Sequence, residues 1–257
     1  MFFRKRTSPP APAAPTRAPA RFSFIVTGWG EKPSVLRKAL SSVAEQLGDE
    51  GELIVILNQF EDDPQQTEKL LAVVQEVSGV TRWVRVSQNS GVARAWNIGY
   101  QLAEGGIFFI MNGDCILKKG AVAALLQGFA DPRVGVVGVG GIRDGRKVDT
   151  PGPCQGVHGF LFGVRRETHR QIGEFDATFS PLADEVEYCA RARRGGWEVC
   201  IADGAGYEHT CTISEQTDRD IRYFGRLCKR RELDQANLAH KIALPWMEGK
   251  ASFKEQG

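Results

Sequence analysis

The sequence predicts an α/β fold: a mostly parallel central sheet flanked by helices, with a disordered tail before it and a C-terminal helix after it. Three observations carry this. Short unbroken apolar runs alternate with stretches whose apolar residues recur at helical spacing, the pattern of βαβ units. Several runs stop abruptly at Gly, Asn or Asp, as buried strands do where they reach the rim of a sheet. Residues 1–20 are rich in Pro and Ala and cannot build a core, so the folded body starts at Arg21 or Phe22.

The elements follow in order. "FSFIVT" (22–27) is a strand. "PSVLRKALSSVAEQLG" (33–48) is a helix, with Pro33 in its first turn, Leu36, Ala39, Leu40 and Val43 on one face, and Gly48 as its stop. "ELIVIL" (52–57) is a second buried strand, 64–77 a helix, and "TRWVRV" (81–86) a third strand. "GVARAWNIGYQLAEG" (91–105) is a helix with Ser90 or Asn89 as the expected N-cap, and 107–111 is a fourth strand. Beyond Asp114 the spacing predicts a helix over 119–130, a strand over 134–139, and a hairpin or mobile loop in the Gly/Asp-rich segment 140–153. A glycine-punctuated strand (156–164), a helix near 184–194, a strand over 197–202 and a long helix from about Ser214 to His240 complete the reading.

Composition narrows the function. The 257 residues are 42% apolar and 25% charged with a net charge of +2, so the chain can bury a core and gives no global case for nucleic-acid binding. Its six cysteines form no CxxC pair and read as small core residues of a reducing compartment. No apolar run reaches membrane-span length, and the N-terminus lacks the apolar core of a secretory signal, which makes the cytoplasm the expected location.

Four clusters sit where strands end or helices begin. "TGWGE" (27–31) permits close backbone approach and offers Trp29 as a stacking surface, yet contains neither GxxxxGK[ST] nor GxGxxG. "QNSGVARAWNIG" (88–99) opens a helix whose free N–H groups could face a phosphate, or is simply a capped helix. "NGD" (112–114) is a turn, or else delivers a carboxylate that a hard divalent cation would accept alongside substrate phosphates. Asp184, Glu185 and Glu187 crowd a helix start, which suits the helix dipole and equally suits a general base.

The order of these clusters resembles the GT-A glycosyltransferases, specifically the family-2-like group of inverting sugar-nucleotide transferases. The resemblance rests on "NSGVARAWNIG", "FFIMNGDCIL", "HGFLFGVRR" and "IGEFDATFSPLADEVEYCARARRGGWEV", and covers roughly residues 22–212. It implies a GT-A (Rossmann-like) domain over 21–212, with a nucleotide-binding half (21–114) and an acceptor half (115–212), then a helical extension over 213–257. It also implies a nucleotide-sugar donor, a glycan or lipid-linked acceptor, and a divalent metal, Mn or Mg. By the same resemblance Thr27, Asn58, Asn97, Asn112 and Asp114 lie at the donor nucleotide. Asp114 matches the last carboxylate of a DxD-type motif and binds the metal, while Asn112 stands where the first Asp often sits. His209 matches a histidine that some members use as a further metal ligand. Glu185 matches the catalytic base and Asp184 its neighbour, the two carboxylates being exchanged in type relative to the usual Glu-Asp pair. The implied reaction moves a sugar to an acceptor hydroxyl with inversion, in polysaccharide or glycoconjugate assembly.

In the C-terminal stretch, Arg219, Arg222, Arg226, Lys229 and Arg230 share one helical face. The plain reading is a packed helix with a solvated basic face. The sharper one is peripheral membrane contact with anionic headgroups or a lipid-diphosphate acceptor. Three other functional readings stand beside the transferase, among them a membrane-surface scaffold that uses only the basic helix, which the dense site-like clusters disfavour. A second is a non-catalytic relative that binds a sugar nucleotide or glycan. The third is a sugar-phosphate nucleotidyltransferase, whose expected GxGxR loop is missing from "TGWGEKP".

Overall fold

The computed structural model describes residues 21–60, 63–177 and 184–210. The expected tail (1–20) and the basic helix (214–240), with the rest of the extension, lie outside the described residues.

The first half alternates as the sequence predicts: β1 (Phe22–Gly28), α1 (Pro33–Ala44), β2 (Gly51–Asn58), α2 (Pro64–Glu76), β3 (Val80–Val86), α3 (Val92–Leu102) and β4 (Ile107–Asn112). Pro33 and Pro64 each occupy a first helical turn, where no backbone N–H is missed. Asp63 caps α2 by accepting from the N–H groups of Gln65 (3.1 Å) and Gln66 (3.2 Å). The second half contains β5 (Cys115–Leu117), α4 (Ala121–Gln127), β6 (Val134–Gly138), β7 (Gly141–Arg143), β8 (Arg146–Val148), β9 (Gly152–Pro153), β10 (Gly156–Val157), β11 (Leu161–Arg165), α5 (Arg166–Ile172), α6 (Asp184–Arg194), β12 (Glu198–Ile201) and β13 (Tyr207–His209).

Eight strands form one sheet in the order β3-β2-β1-β4-β11-β6-β12-β9. From β3 to β4 every pairing is parallel. At β4 the sense reverses, because β11 runs antiparallel to both β4 and β6. Strand β12 then runs parallel to β6. Side chains alternate across the sheet as the period-two pleat requires: Phe24 and Val26 face one core with α1, α2 and α4, and Ile25 faces another with α3, α5 and α6.

The structure corrects several expectations. The segment 156–164 is two strands, not one, and residues 158–160 break them apart at the sheet edge. Segment 140–153 holds a real hairpin, β7 on β8, closed by Asp144 and Gly145 with φ of 52° and 71°. Helix α3 stops at Leu102, where Ala103 turns extended. Neither Ser90 nor Asn89 is its N-cap. Gly91 is, without a side-chain cap, while the Asn89 side chain accepts from the Gly91 N–H at 3.0 Å. Helix α5 and the β5–β13 pair were not anticipated.

Candidate active site

The parallel strands all point their C-terminal ends at one edge, where ligands bind in open α/β sheets. At that edge β1 ends in Thr27 and β2 in Asn58, and β4 leads into "NGD". The chain folds tightly here. The Gly113 N–H donates to the Thr27 carbonyl (2.8 Å), and the Asn112 N–H donates to the Phe160 carbonyl (2.9 Å). A methyl group on Gly113 would lie 3.1 Å from the Thr27 oxygen and 3.2 Å from the Glu31 carboxyl carbon, so glycine is what lets this turn close. Trp29 stands beside it, its indole N–H donating to the Gln59 carbonyl (3.0 Å) and its ring edge-on to Phe60 (5.2 Å). Glu31 accepts from the Trp29 N–H at 2.7 Å. Asn58 accepts from Ser90 through both its N–H (3.2 Å) and its hydroxyl (2.9 Å), which ties β2 to the loop before α3.

Asp114 is buried, and its Oδ1 lies 3.2 Å from His209 Nε2. Strand β13 delivers that histidine. It pairs antiparallel with β5, register His209 to Cys115, and Thr210 donates to the Asp114 carbonyl from its N–H (3.1 Å) and hydroxyl (3.0 Å). The imidazole stacks on Phe160 at 4.2 Å and 17°. The donor set suits a hard divalent ion. An octahedral cation with bonds of about 2.1 Å spaces neighbouring ligands about 3.0 Å apart, close to the separation seen. Among the described residues no three His, Cys, Asp or Glu gather to hold a metal unaided. Two protein ligands completed by substrate phosphate are what such an ion ordinarily uses.

Glu185 lies in the first turn of α6. Its carboxylate packs against the backbone where 158–160 interrupts the sheet, and the Gly159 N–H donates to it. A methyl group on Gly159 would sit 2.9 Å from both the carboxyl carbon and Oε2, so any side chain there displaces the acid. Burial pushes the Glu185 carboxyl up to about 7, against the opposing pull of its hydrogen bonds and of Lys147. Its neighbour Asp184 is 3% exposed.

The sequence reading missed two groups. His158 lies at the break, its ring 5.7 Å from Phe160, and a methyl on Gly140 would meet both its Nδ1 (3.0 Å) and Asp149 Oδ1 (2.6 Å). Burial and Lys147 hold His158 below its usual range. Glu31 lay in the quoted "TGWGE" without being singled out, and its nearness to Gly113 follows only from the strand register. Asn97 bridges to the backbone of Phe175. Its Nδ2 donates to the Phe175 carbonyl (2.9 Å) and its Oδ1 accepts from the Phe175 N–H (3.0 Å). The amide oxygen and one of the two amide N–H groups are thus committed to the backbone after α5.

The architecture is that of the GT-A glycosyltransferases. The sequence profile described as Glycosyl transferase family 2 matches residues 23–199, and the chain belongs to that family. Among solved structures, the chain is similar to the mannosyltransferase PcManGT from Pyrobaculum calidifontis in complex with GDP-Man and Mn2+ (TM-score 0.59, 18% identity, 79% of this chain and 62% of that one). It is also similar to GalNAc-T7 with UDP, GalNAc and Mn2+ (TM-score 0.63, 16% identity, 76% of this chain and 44% of that one). At these identities the likeness shows the fold, and this chain spans less than two thirds of either neighbour. No curated protein sequence matches it. Among the described residues no helix is long and apolar enough to cross a membrane.

Proposed function

We propose that this family 2 glycosyltransferase moves a sugar from a nucleotide-sugar donor to an acceptor hydroxyl with inversion, assisted by a divalent metal. The observation that carries the reading is the Asp114–His209 pair, brought to 3.2 Å at the sheet edge from positions 95 residues apart. The nucleotide sugars and Mn2+ named with the two structural neighbours support it. Thr27, Asn58, Asn112 and Asp114 would border the donor, with Trp29 beside the base. Asp114 and His209 would hold Mn2+ or Mg2+, whose charge stabilises the departing diphosphate.

Glu185 acts as general base. Its carboxylate takes the proton of the acceptor hydroxyl as that oxygen bonds to the anomeric carbon. The bond from the anomeric carbon to the nucleoside diphosphate breaks on the opposite face, so configuration inverts in one displacement. A carboxyl titrating near neutrality suits that transfer, since it is a stronger base than an exposed glutamate and is still substantially ionised at neutral pH. Assignment to polysaccharide or glycoconjugate assembly, a glycan or lipid-linked acceptor and peripheral membrane contact through the basic C-terminal stretch rest on the family resemblance.

The test is a thermal-shift panel of UDP-, GDP- and dTDP-sugars with and without Mn2+ or Mg2+, on wild type and Asp114→Ala. Binding to the native state raises the melting temperature by mass action. A metal-dependent rise with one nucleotide class, lost in Asp114→Ala, is expected. A rise of equal size without metal and in Asp114→Ala would sink the ion-site assignment. Donor binding without turnover toward any acceptor would favour a non-catalytic binding protein.

A further inference from the structure

On the side of α6 turned away from Glu185 lies a concavity of about 710 Å³, between α3 and α6. Cavities of roughly 300–1,000 Å³ take small organic ligands, so this one has room for one or two sugar rings. We propose that it is a saccharide subsite holding a second unit of the acceptor, away from the hydroxyl that reacts. This inference rests on the transferase reading above.

The chemistry of the walls points to a hydroxylated ligand. Arg94 projects from α3 into the exposed part of the cavity, and among the described residues no hydrogen bond or ion pair engages it. Opposite, Glu187 uses Oε1 to accept from Arg191 Nε (2.6 Å), while its Oε2 is enclosed with no hydrogen-bond partner among the described residues. A sugar unit carries hydroxyls that accept from a guanidinium and donate to a carboxylate at once. Ile98 and Ala177 supply an apolar strip for the C–H face of a ring. The charges nearly balance: Arg94 and Arg191 stand against Glu174, Asp176 and Glu187. That balance fits a neutral polyol better than a diphosphate, and it separates this cavity from the proposed donor site.

The walls are also fixed in advance. Arg191 donates to the carbonyls of Ile172 (2.6 Å) and Glu174 (2.8 Å), and Asn97 holds Phe175 at both backbone groups. Little side-chain freedom is left there to be lost on binding. Position relates the cavity to the reaction. Glu187 follows Glu185 by two residues, a turn of about 200° around the helix axis, so the proposed base and the cavity flank the same first turn. Ser90, another lining residue, is the group that holds Asn58.

The experiment is saturation-transfer NMR on the full chain without donor. Its probes are the methyl glycosides of a hexose, a deoxyhexose, an N-acetylhexosamine and a uronic acid. Wild type, Arg94→Ala, Glu187→Gln and Asp114→Ala are compared. Transfer to at least one glycoside is expected, reduced at least tenfold in Arg94→Ala and in Glu187→Gln, and kept in Asp114→Ala. Arg94 is exposed, so its truncation leaves the fold intact even if Glu187→Gln disturbs α6. No transfer to any probe, or transfer undiminished in Arg94→Ala, overturns the proposal. Donor binding in the thermal-shift panel without glycoside binding would fell the subsite alone. Glycoside binding without donor binding would instead fell the donor reading.

Discussion

Glu185 shows how one side chain couples chemistry to stability. Its folded pKa, about 7 against an ordinary value of 4.5, means that the native carboxyl keeps a proton that the unfolded chain releases between those two pH values. Stability from this group is therefore full below about pH 4.5 and declines as pH rises through 7. Glu185→Gln keeps an acceptor for the Gly159 N–H and removes the ionisation. We expect turnover to fall at least a hundredfold. The same substitution should raise the melting temperature at pH 8. Discounting for the carboxylate's partial contact with water, the gain is about 1–2 kcal/mol, or roughly 3–6 °C. Calorimetry beside an activity assay checks both, and unchanged turnover would remove Glu185 as the base. How far such residues were legible varied. Asp114 and Glu185 stood in motifs whose order carried a resemblance, and His209 was matched beside them. Asn97 stood in a motif too, yet its use depends on a partner 78 positions along the chain, which no local pattern reveals.

At the scale of elements, α3 and the segment after α5 are locked together by the Asn97 amide. Asn97→Ala leaves a backbone N–H and a carbonyl of Phe175 without their partner. The expected loss is about 1–3 kcal/mol, measured as a lower midpoint in urea unfolding, with donor-induced thermal shifts unchanged. A selective loss of donor binding at wild-type stability would favour the nucleotide role instead. The long elements were legible because their periods are strong: β1, β2, α1 and β4 fall within a residue or so of expectation at most boundaries, and α1 departs only at its C-terminal end, where the last turn loosens. The short ones were not. Helix α5 has seven residues and β5 and β13 three each, too few for a period to register. The break at 158–160 was hidden for another reason. It exists to seat a carboxylate from a helix more than twenty residues away, so the apolar run on either side reads as continuous.

Across the whole molecule, two buried groups titrate against each other. His169 Nδ1 lies 2.8 Å from the Tyr188 hydroxyl in the aromatic core behind the sheet, and burial, then Arg166 and Arg191, push the imidazole down to about 4. The unfolded chain protonates this histidine below about pH 6.5 while the folded chain does not. Its contribution is therefore full above that pH and is lost as pH falls toward 4. Glu185 has the opposite slope over an overlapping window. His158, also held low, adds to the histidine side, so the expected outcome is a shallower rise of melting temperature between pH 4.5 and 6.5 in wild type than in Glu185→Gln. In Glu185→Gln the temperature should rise with pH across that interval, because the slopes of His169 and of His158, both held below the ordinary value, remain. A flat profile in that variant as well would mean that neither histidine is held neutral by the fold.

The β5–β13 strap has a consequence for synthesis. Asp114 and His209 are 95 residues apart and meet only when the last described strand has been laid down. Chains emerge from the ribosome N-terminus first, and domains fold as they appear. A nascent chain stalled after β12 would already have its donor-side strands paired and its sheet nearly complete. It would still lack the histidine half of the proposed ion site. Copies halted there would therefore be too short to engage the ion with both hands, and competence at the leaving-group end would mark a chain that has been read past β13.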